Sequence, residues 1–228
     1  MLETRNLTKG FFSKKALRGV NCRIDNSKIF GLLGPNGSGK TTFMKIAAGL
    51  IQQTSGQISY NNEMIGPRTK NKIAYMPTEQ FIYGFMKIKT VGEYFNDFYE
   101  DFDVDRYNQL IEFMKLDMND KVSALSSGMG SKLKIAATLS RKAELYMLDE
   151  PLNGIDLVAR EKILQAIVET ANENNTLLIS SHLVDEMEKI LDDVLFLKDG
   201  EIVLQGSAEK VREERGKSIV ELYKEVYA

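Results

Sequence analysis

The stretch that most constrains this chain of 228 residues is Gly34-Pro35-Asn36-Gly37-Ser38-Gly39-Lys40-Thr41-Thr42. Gly34, Gly39, Lys40 and Thr41 fit the phosphate-binding pattern of two glycines, a lysine and a hydroxyl residue. A polyphosphate is best held by several converging backbone N–H groups, and a glycine-rich loop lets the main chain curl closely around an anion. In such a loop Lys40 supplies a point charge at the β- and γ-phosphates, and the Thr41 hydroxyl takes one position on a Mg²⁺ ion. The flanks agree with this reading. Lys28 to Leu33 reads as a buried strand, and Thr42 to Leu50 as a helix start whose free N–H groups and dipole favour phosphate. The ligand predicted from these residues is a nucleoside triphosphate.

Composition narrows the remaining possibilities. With 43% hydrophobic and 27% charged residues the chain reads as an ordinary globular domain, and no low-complexity stretch argues for disorder. A net charge of −2 gives no nucleic-acid footprint. The charges are unevenly spread: residues 1 to 50 hold nine Lys/Arg against two Asp/Glu, and residues 90 to 120 hold two against nine. That division suits a basic half that attracts a nucleotide and an acidic lobe that faces something else, or simply two solvated faces. The single cysteine, Cys22, sits in a strand-like stretch and reads as a buried thiol in a reducing cytosol. No apolar signal region precedes the first strand, and no apolar run approaches the roughly 18 residues a membrane span needs. The chain is therefore expected to be cytoplasmic, although it can sit on a membrane.

Strand signals fall at 2 to 8 and 16 to 24, joined by a turn around Phe11 to Lys15, then at 56 to 60 and 73 to 76. Asn61 to Arg68 reads as turns. Eleven of the twenty aromatic residues lie between Tyr75 and Phe113, and Tyr94, Phe95, Phe98, Tyr99 and Phe102 recur at helical spacing. They read as one face of a small helical lobe, either its core or a docking surface. Strand and helix then alternate: 145 to 148, a helix of about 157 to 173, and 176 to 180. Such alternation predicts an α/β fold with a mostly parallel sheet covered by helices. Asp199-Gly200 marks a hairpin between 194 to 197 and 201 to 204. Ser218 and Glu221 form a capping-box pattern before an amphipathic stripe of Ile219, Leu222, Tyr223, Val226 and Tyr227.

Further motifs carry chemistry. Leu145 to Leu148 is an apolar run that ends in Asp149 and Glu150. Asp149 suits binding of Mg²⁺, directly or through water, and Glu150 suits deprotonating an attacking water. His182, the only histidine, follows a buried strand, where ligand-facing residues of open α/β sheets lie, and its imidazole could sense a γ-phosphate. Leu125-Ser126-Ser127-Gly128-Met129 introduces a helix expected at 130 to 140. The phosphate loop, this serine-glycine segment, Asp149-Glu150, the Pro151-Leu152-Asn153-Gly154-Ile155-Asp156 loop and His182, in this order, resemble the ATP-binding cassette family. Specifically, they resemble the exporter-type nucleotide-binding subunit of a membrane transporter, over nearly the whole chain.

The resemblance implies a P-loop NTPase fold: a mostly parallel central sheet, an N-terminal antiparallel β subdomain and a small α-helical subdomain. Residues of about 1–77 and 141–228 would form the nucleotide-binding lobe, and about 78–140 the helical lobe with the signature Ser126-Ser127-Gly128. It further implies Mg²⁺-dependent ATP hydrolysis, with Glu150 and His182 catalytic and Phe11 stacking on adenine. Two copies, or this chain and a paralogue, would pair head to tail around two ATP molecules. The Ser126 hydroxyl and Gly128 N–H of one copy would meet the γ-phosphate on the other. A separate integral membrane permease would be the driven partner, on the inner face of the cell membrane, and no nucleic acid is expected. A soluble cassette ATPase acting on nucleic acid, the ribosome or a protein assembly is the alternative. Two departures stand out: the glutamine usual after the strand 73 to 76 is Thr78 here, with Glu79 and Gln80 as candidate substitutes, and Ser127 and Met129 replace a glycine and a glutamine.

Overall fold

A computed structural model describes residues 1–228. Its first sheet is antiparallel: β1 (Leu2–Phe11) and β2 (Lys14–Ile24) form a hairpin, and β1 also pairs with β4 (Ser55–Tyr60), which pairs with β5 (Glu63–Met64). Between them in sequence lie β3 (Ile29–Leu33) and α1 (Lys40–Ala47). After the short α2 (Pro67–Lys70) and β6 (Ile73–Met76) come three helices, α3 (Ile88–Phe98), α4 (Val104–Phe113) and α5 (Ser127–Leu139). The chain then returns through β7 (Leu145–Asp149), α6 (Leu157–Thr170), β8 (Thr176–Ser181), α7 (Val184–Met187), β9 (Asp193–Lys198), β10 (Glu201–Ser207), α8 (Ala208–Arg215) and α9 (Ile219–Tyr227). The second sheet has the order β10-β9-β3-β8-β7-β6, parallel throughout except for the β9–β10 hairpin. No helix is long and apolar enough to cross a membrane.

The apolar runs of the central strands are explained by burial on both faces. Phe30 and Leu32 enter one core while Ile29 and Leu33 enter the other; Leu145 and Met147 alternate in the same way with Tyr146 and Leu148, as do Leu195 and Leu197 with Val194 and Phe196. Successive side chains of a strand point to opposite faces, so a strand sandwiched between two layers must be apolar at every position. The first core lies between this sheet, α1 and the antiparallel sheet. The second runs from the opposite face of the sheet through α6 and α9 into α3, α4 and α5. Truncating a fully buried side chain such as Leu32 to alanine would destabilise the fold by about 2–5 kcal/mol.

Several boundaries differ from the expectation for local reasons. Asn61 to Arg68 is not only turns: Asn61 and Asn62 both adopt positive φ, the geometry of a tight hairpin, and join β4 to β5, after which Pro67 opens α2. The helix expected at 130 to 140 begins earlier, at Ser127, because the Ser126 hydroxyl accepts the Met129 N–H as its N-cap. The helix from 157 stops at Thr170 instead of 173, where the Asn172 and Asn175 amides both donate to the Thr170 carbonyl and the Asn175 Oδ1 accepts the Asn172 N–H. The aromatic face is also broken. Helix α3 ends at Phe98, Tyr99 is extended, and Phe102 reaches the core through a separate bridge to Arg141. Phe95, Phe102 and Tyr107 are buried, while Tyr83, Phe85, Phe98 and Tyr99 remain exposed. Asp199 and Gly200 form the predicted hairpin, both at positive φ.

Candidate active site

The parallel strand order brings the carboxyl ends of β3, β8 and β7 side by side, and ligands of open α/β sheets bind beyond such ends. The phosphate loop leaves the end of β3 at Gly34 and closes on α1. Its curvature depends on two glycines for different reasons. A Cβ at Gly34 would lie 2.4 Å from the Leu197 carbonyl oxygen and 2.8 Å from the Ser38 Oγ. Gly39 precedes α1 at φ 115°, a conformation other residues rarely adopt, with the Ala16 carbonyl 2.6 Å from where a Cβ would be. The buried Ser38 Oγ has no hydrogen-bond partner.

Lys40 lies within the loop's curve, its side chain only 5% exposed. Its Nζ donates to the carbonyls of Gly34 (2.6 Å) and Pro35 (3.2 Å) and stands 3.1 Å from the Glu150 Oε1. The contact with Glu150 is Coulombic and not an aligned hydrogen bond, since Oε1 accepts none. The Glu150 Oε2 lies 2.8 Å from the His182 Nδ1. A carboxylate can only accept, so the His182 Nδ1 carries the proton. Lys40, Glu150 and His182 thus converge from three strand ends far apart in sequence.

Glu150 is held there against a conformational preference. Its φ of 51° is left-handed, a strain of about 1–2 kcal/mol for a residue with a Cβ. The Glu150 N–H donates to Ser180, to the carbonyl at 3.2 Å and the Oγ at 2.9 Å, which offsets that strain. Asp149, one residue earlier, is fully buried; its Oδ1 accepts from the Ser180 Oγ at 2.5 Å and its Oδ2 from the Tyr75 hydroxyl at 3.3 Å. Burial pushes the Asp149 carboxyl above the usual carboxylate range, while bonds from Ser180, Thr41 and Tyr75 pull it back. The Thr41 hydroxyl, at the start of α1, thus acts on the Asp149 carboxylate, whose direct hydrogen bonds come from Ser180 and Tyr75.

A cleft of about 390 Å³ opens over these groups, lined by Phe11, Lys14, Asn36, Gly37, Gly39, Lys40, Thr41, Thr42, Thr78, Glu150 and Asn153. Phe11, 44% exposed, stands at its mouth with Lys9 4.9 Å from the ring centre. Thr78, at the position of the usual glutamine, lines the cleft; of the candidate substitutes, Glu79 is paired with Lys45 and the Gln80 amide donates to the Ile82 carbonyl. Ser126 and Ser127 are not brought to the phosphate loop. They line a second cleft with Gln80, Ser123 and Lys134. Gly128 has open space around it. Ser180 and Tyr75, which position Asp149, were missed from sequence. No local signal marks them, because Ser180 meets Asp149 only through the adjacency of β7 and β8, and Tyr75 through that of β6 and β7.

The comparisons with known proteins agree with this geometry. The family model for the ABC transporter matches residues 17–153. The ABC transporter ATP-binding protein YtrB of Bacillus subtilis (strain 168) is 32% identical over 217 residues, covering 94% of this chain and 74% of its own. The lantibiotic transport ATP-binding protein SrtF of Streptococcus pyogenes is 33% identical over 213 residues, 90% of each chain. A solved ATP-binding subunit of an ABC transporter superposes with a TM-score of 0.88 at 26% identity, over 99% of this chain and 98% of its own. The dimeric cassette MJ0796 gives 0.81 at 21% identity, over 91% and 98%, a likeness of fold. With the phosphate loop, the paired carboxylates and the histidine gathered at the carboxyl ends of the central strands, the chain belongs to the ABC transporter family, as an ATP-binding subunit.

Proposed function

We propose that the chain is a Mg²⁺-dependent ATPase that closes head to tail around two ATP molecules and powers a separate membrane permease from the inner face of the cell membrane. The observation that carries this reading is the convergence of Lys40, Glu150 and His182, at 3.1 and 2.8 Å, at the mouth of a loop whose tight curvature requires glycine at 34 and 39. Triphosphate oxygens would draw Lys40 from Glu150, and Oε1 would then be free to accept a proton from an attacking water. With its Nδ1–H committed to Glu150, His182 would donate to the γ-phosphate from Nε2 only as the imidazolium, in which both ring nitrogens carry a proton. Phe11 would offer a ring face to the base.

The donor set fits Mg²⁺. One hydroxyl and one carboxylate suit an ion bound mostly through phosphate and water with few protein oxygens. Thr41 and Asp149 would hold it, and when bound it would neutralise charge on the β- and γ-phosphates.

Support for the second copy comes from the separation of the two clefts. Ser126 caps α5 yet keeps its own proton to donate, and the surface at Gly128 is open. Residues of about 78–140 would move as the helical lobe. The half-exposed aromatic surface beside a groove of about 420 Å³ lined by Leu50, Tyr75, Pro77, Phe81 and Tyr99 suits a permease segment. A transport role is supported by the relative named for lantibiotic transport.

Subunit mixing tests the shared site. Lys40→Ala and Ser126→Ala chains are each expected to lose most ATP turnover. Mixed in equal amounts they should recover part of it, because one site in the mixed dimer pairs an intact loop with an intact serine. No recovery, with mixed dimers shown to form, would refute the head-to-tail arrangement.

A further inference from the structure

Helix α9 ends against the phosphate loop, and no catalytic group of the site explains why. The Tyr227 hydroxyl lies 3.1 Å from the Leu33 carbonyl and 3.0 Å from the Leu197 carbonyl, and its single proton is shared between them. Leu33 is the residue before Gly34, and the Leu197 carbonyl is the atom a Gly34 Cβ would strike at 2.4 Å. One hydroxyl therefore ties together the two carbonyls that flank the first glycine of the loop.

The helix that carries this hydroxyl is itself firmly seated. Its start is a capping box of Ser218 and Glu221, and the Ile219 N–H donates to the Glu188 carboxylate, on the segment that follows His182. Ile219 and Leu222 are buried, and the rings of Tyr223 and Tyr227 meet at 4.5 Å and pack on Phe196 of β9. The Lys198 ammonium donates to the Val226 carbonyl at 2.6 Å. Burial raises the Tyr227 phenol well above its ordinary range, so it stays a donor at any working pH.

We infer that Tyr227 is a positioning residue for ATP binding: through Leu33 and Leu197 it holds the strand-to-loop junction at Gly34 in the geometry the phosphates require. This rests on the reading of residues 34–42 as the ATP-binding loop. The hydroxyl touches no reacting atom, so its contribution belongs to affinity and not to the chemical step. Preorganised donors bind better because the ordering of the loop is completed before the ligand arrives.

Tyr223 supplies the internal control, since its ring packs in the same stack but its hydroxyl makes no hydrogen bond to the protein, whereas that of Tyr227 shares its proton between two carbonyls. Tyr227→Phe and Tyr223→Phe should be compared in the full chain by titration with a fluorescent ATP analogue, by ATP turnover, and by hydrogen exchange of residues 33–38 without nucleotide. For Tyr227→Phe we expect roughly three- to tenfold weaker binding and a matching rise in KM, little change in kcat, and faster exchange at 33–38, as for loss of one hydrogen bond of about 0.5–1.5 kcal/mol. Tyr223→Phe should leave all three unchanged. Equal affinity and exchange in the two variants would overturn the inference, as would a fall in melting temperature for Tyr227→Phe with native ATP affinity. Should Tyr227→Phe fail to fold, Lys198→Met, which frees the same helix end at the Val226 carbonyl, must speed exchange at 33–38, and native exchange there would overturn it. If the native chain binds no ATP, the underlying reading fails, and the exchange comparison still reports separately on the brace.

Discussion

Replacing Glu150 by glutamine keeps its shape and removes one charge from a buried contact, so its consequences can be worked from the geometry. The Glu150 carboxylate and Lys40 ammonium are 3.1 Å apart, with side chains 8% and 5% exposed. At an effective dielectric of about 20 that separation corresponds to about 5 kcal/mol of attraction. Desolvation of both groups offsets much of it, and Lys40 keeps the Gly34 and Pro35 carbonyls in the variant. A net loss of about 1–3 kcal/mol remains. Without nucleotide the Glu150→Gln protein should therefore melt about 3–9 °C lower than the native chain. With ATP the sign reverses: Lys40 no longer has to leave a carboxylate, so affinity should rise by about tenfold or more. Turnover should fall by at least about a hundredfold, the usual contribution of a general base. Differential scanning fluorimetry, equilibrium titration with ATP and phosphate release measure the three quantities. Unchanged melting together with unchanged or weaker ATP binding would refute the electrostatic reasoning, and turnover within tenfold of native would remove Glu150 from the role of base.

Two further predictions separate folding from function. Gly34→Ala places a methyl group 2.4 Å from a backbone carbonyl in β9 and should cost about 1–3 kcal/mol of stability along with ATP binding, by urea unfolding and titration. Gly128→Ala meets nothing within 4 Å and should leave ATP binding to the single chain near native, while ATP-driven dimer formation, read by light scattering, is lost. The Cys22 thiol is pushed up to about 11 by burial, against which its bond with Thr4 acts. A raised thiol pKa favours the folded state fully below pH ~9 and loses that stabilisation as pH rises towards ~11. About 2–3 kcal/mol should therefore disappear from the unfolding free energy over that window, and less in Cys22→Ala; at neutral pH the native thiol should resist alkylation until the protein unfolds.

What was legible from residue order is what depends on short-range chemistry. The phosphate loop announces itself because glycines, lysine and threonine must sit within nine consecutive positions to curl around an anion, and the α/β class because the apolar runs alternate with amphipathic ones. Asp199-Gly200 betrays its hairpin for the same reason: both residues adopt positive φ, a local requirement. Periodicity served less well at Tyr99, where an extended residue ends α3 and sends Phe102 to the core by a route that spacing does not record. The site itself was beyond local reading. Lys40 and Glu150 are 110 positions apart, and their contact exists only because β8 inserts between β3 and β7 and carries Ser180 and His182 to the gap. The left-handed turn at Glu150, the burial that raises Asp149 and the hydroxyl of Tyr227 beneath Gly34 likewise follow from which strands lie adjacent. Strand order is decided by the packing of two cores against opposite faces of one sheet, a condition that no single segment of the chain contains.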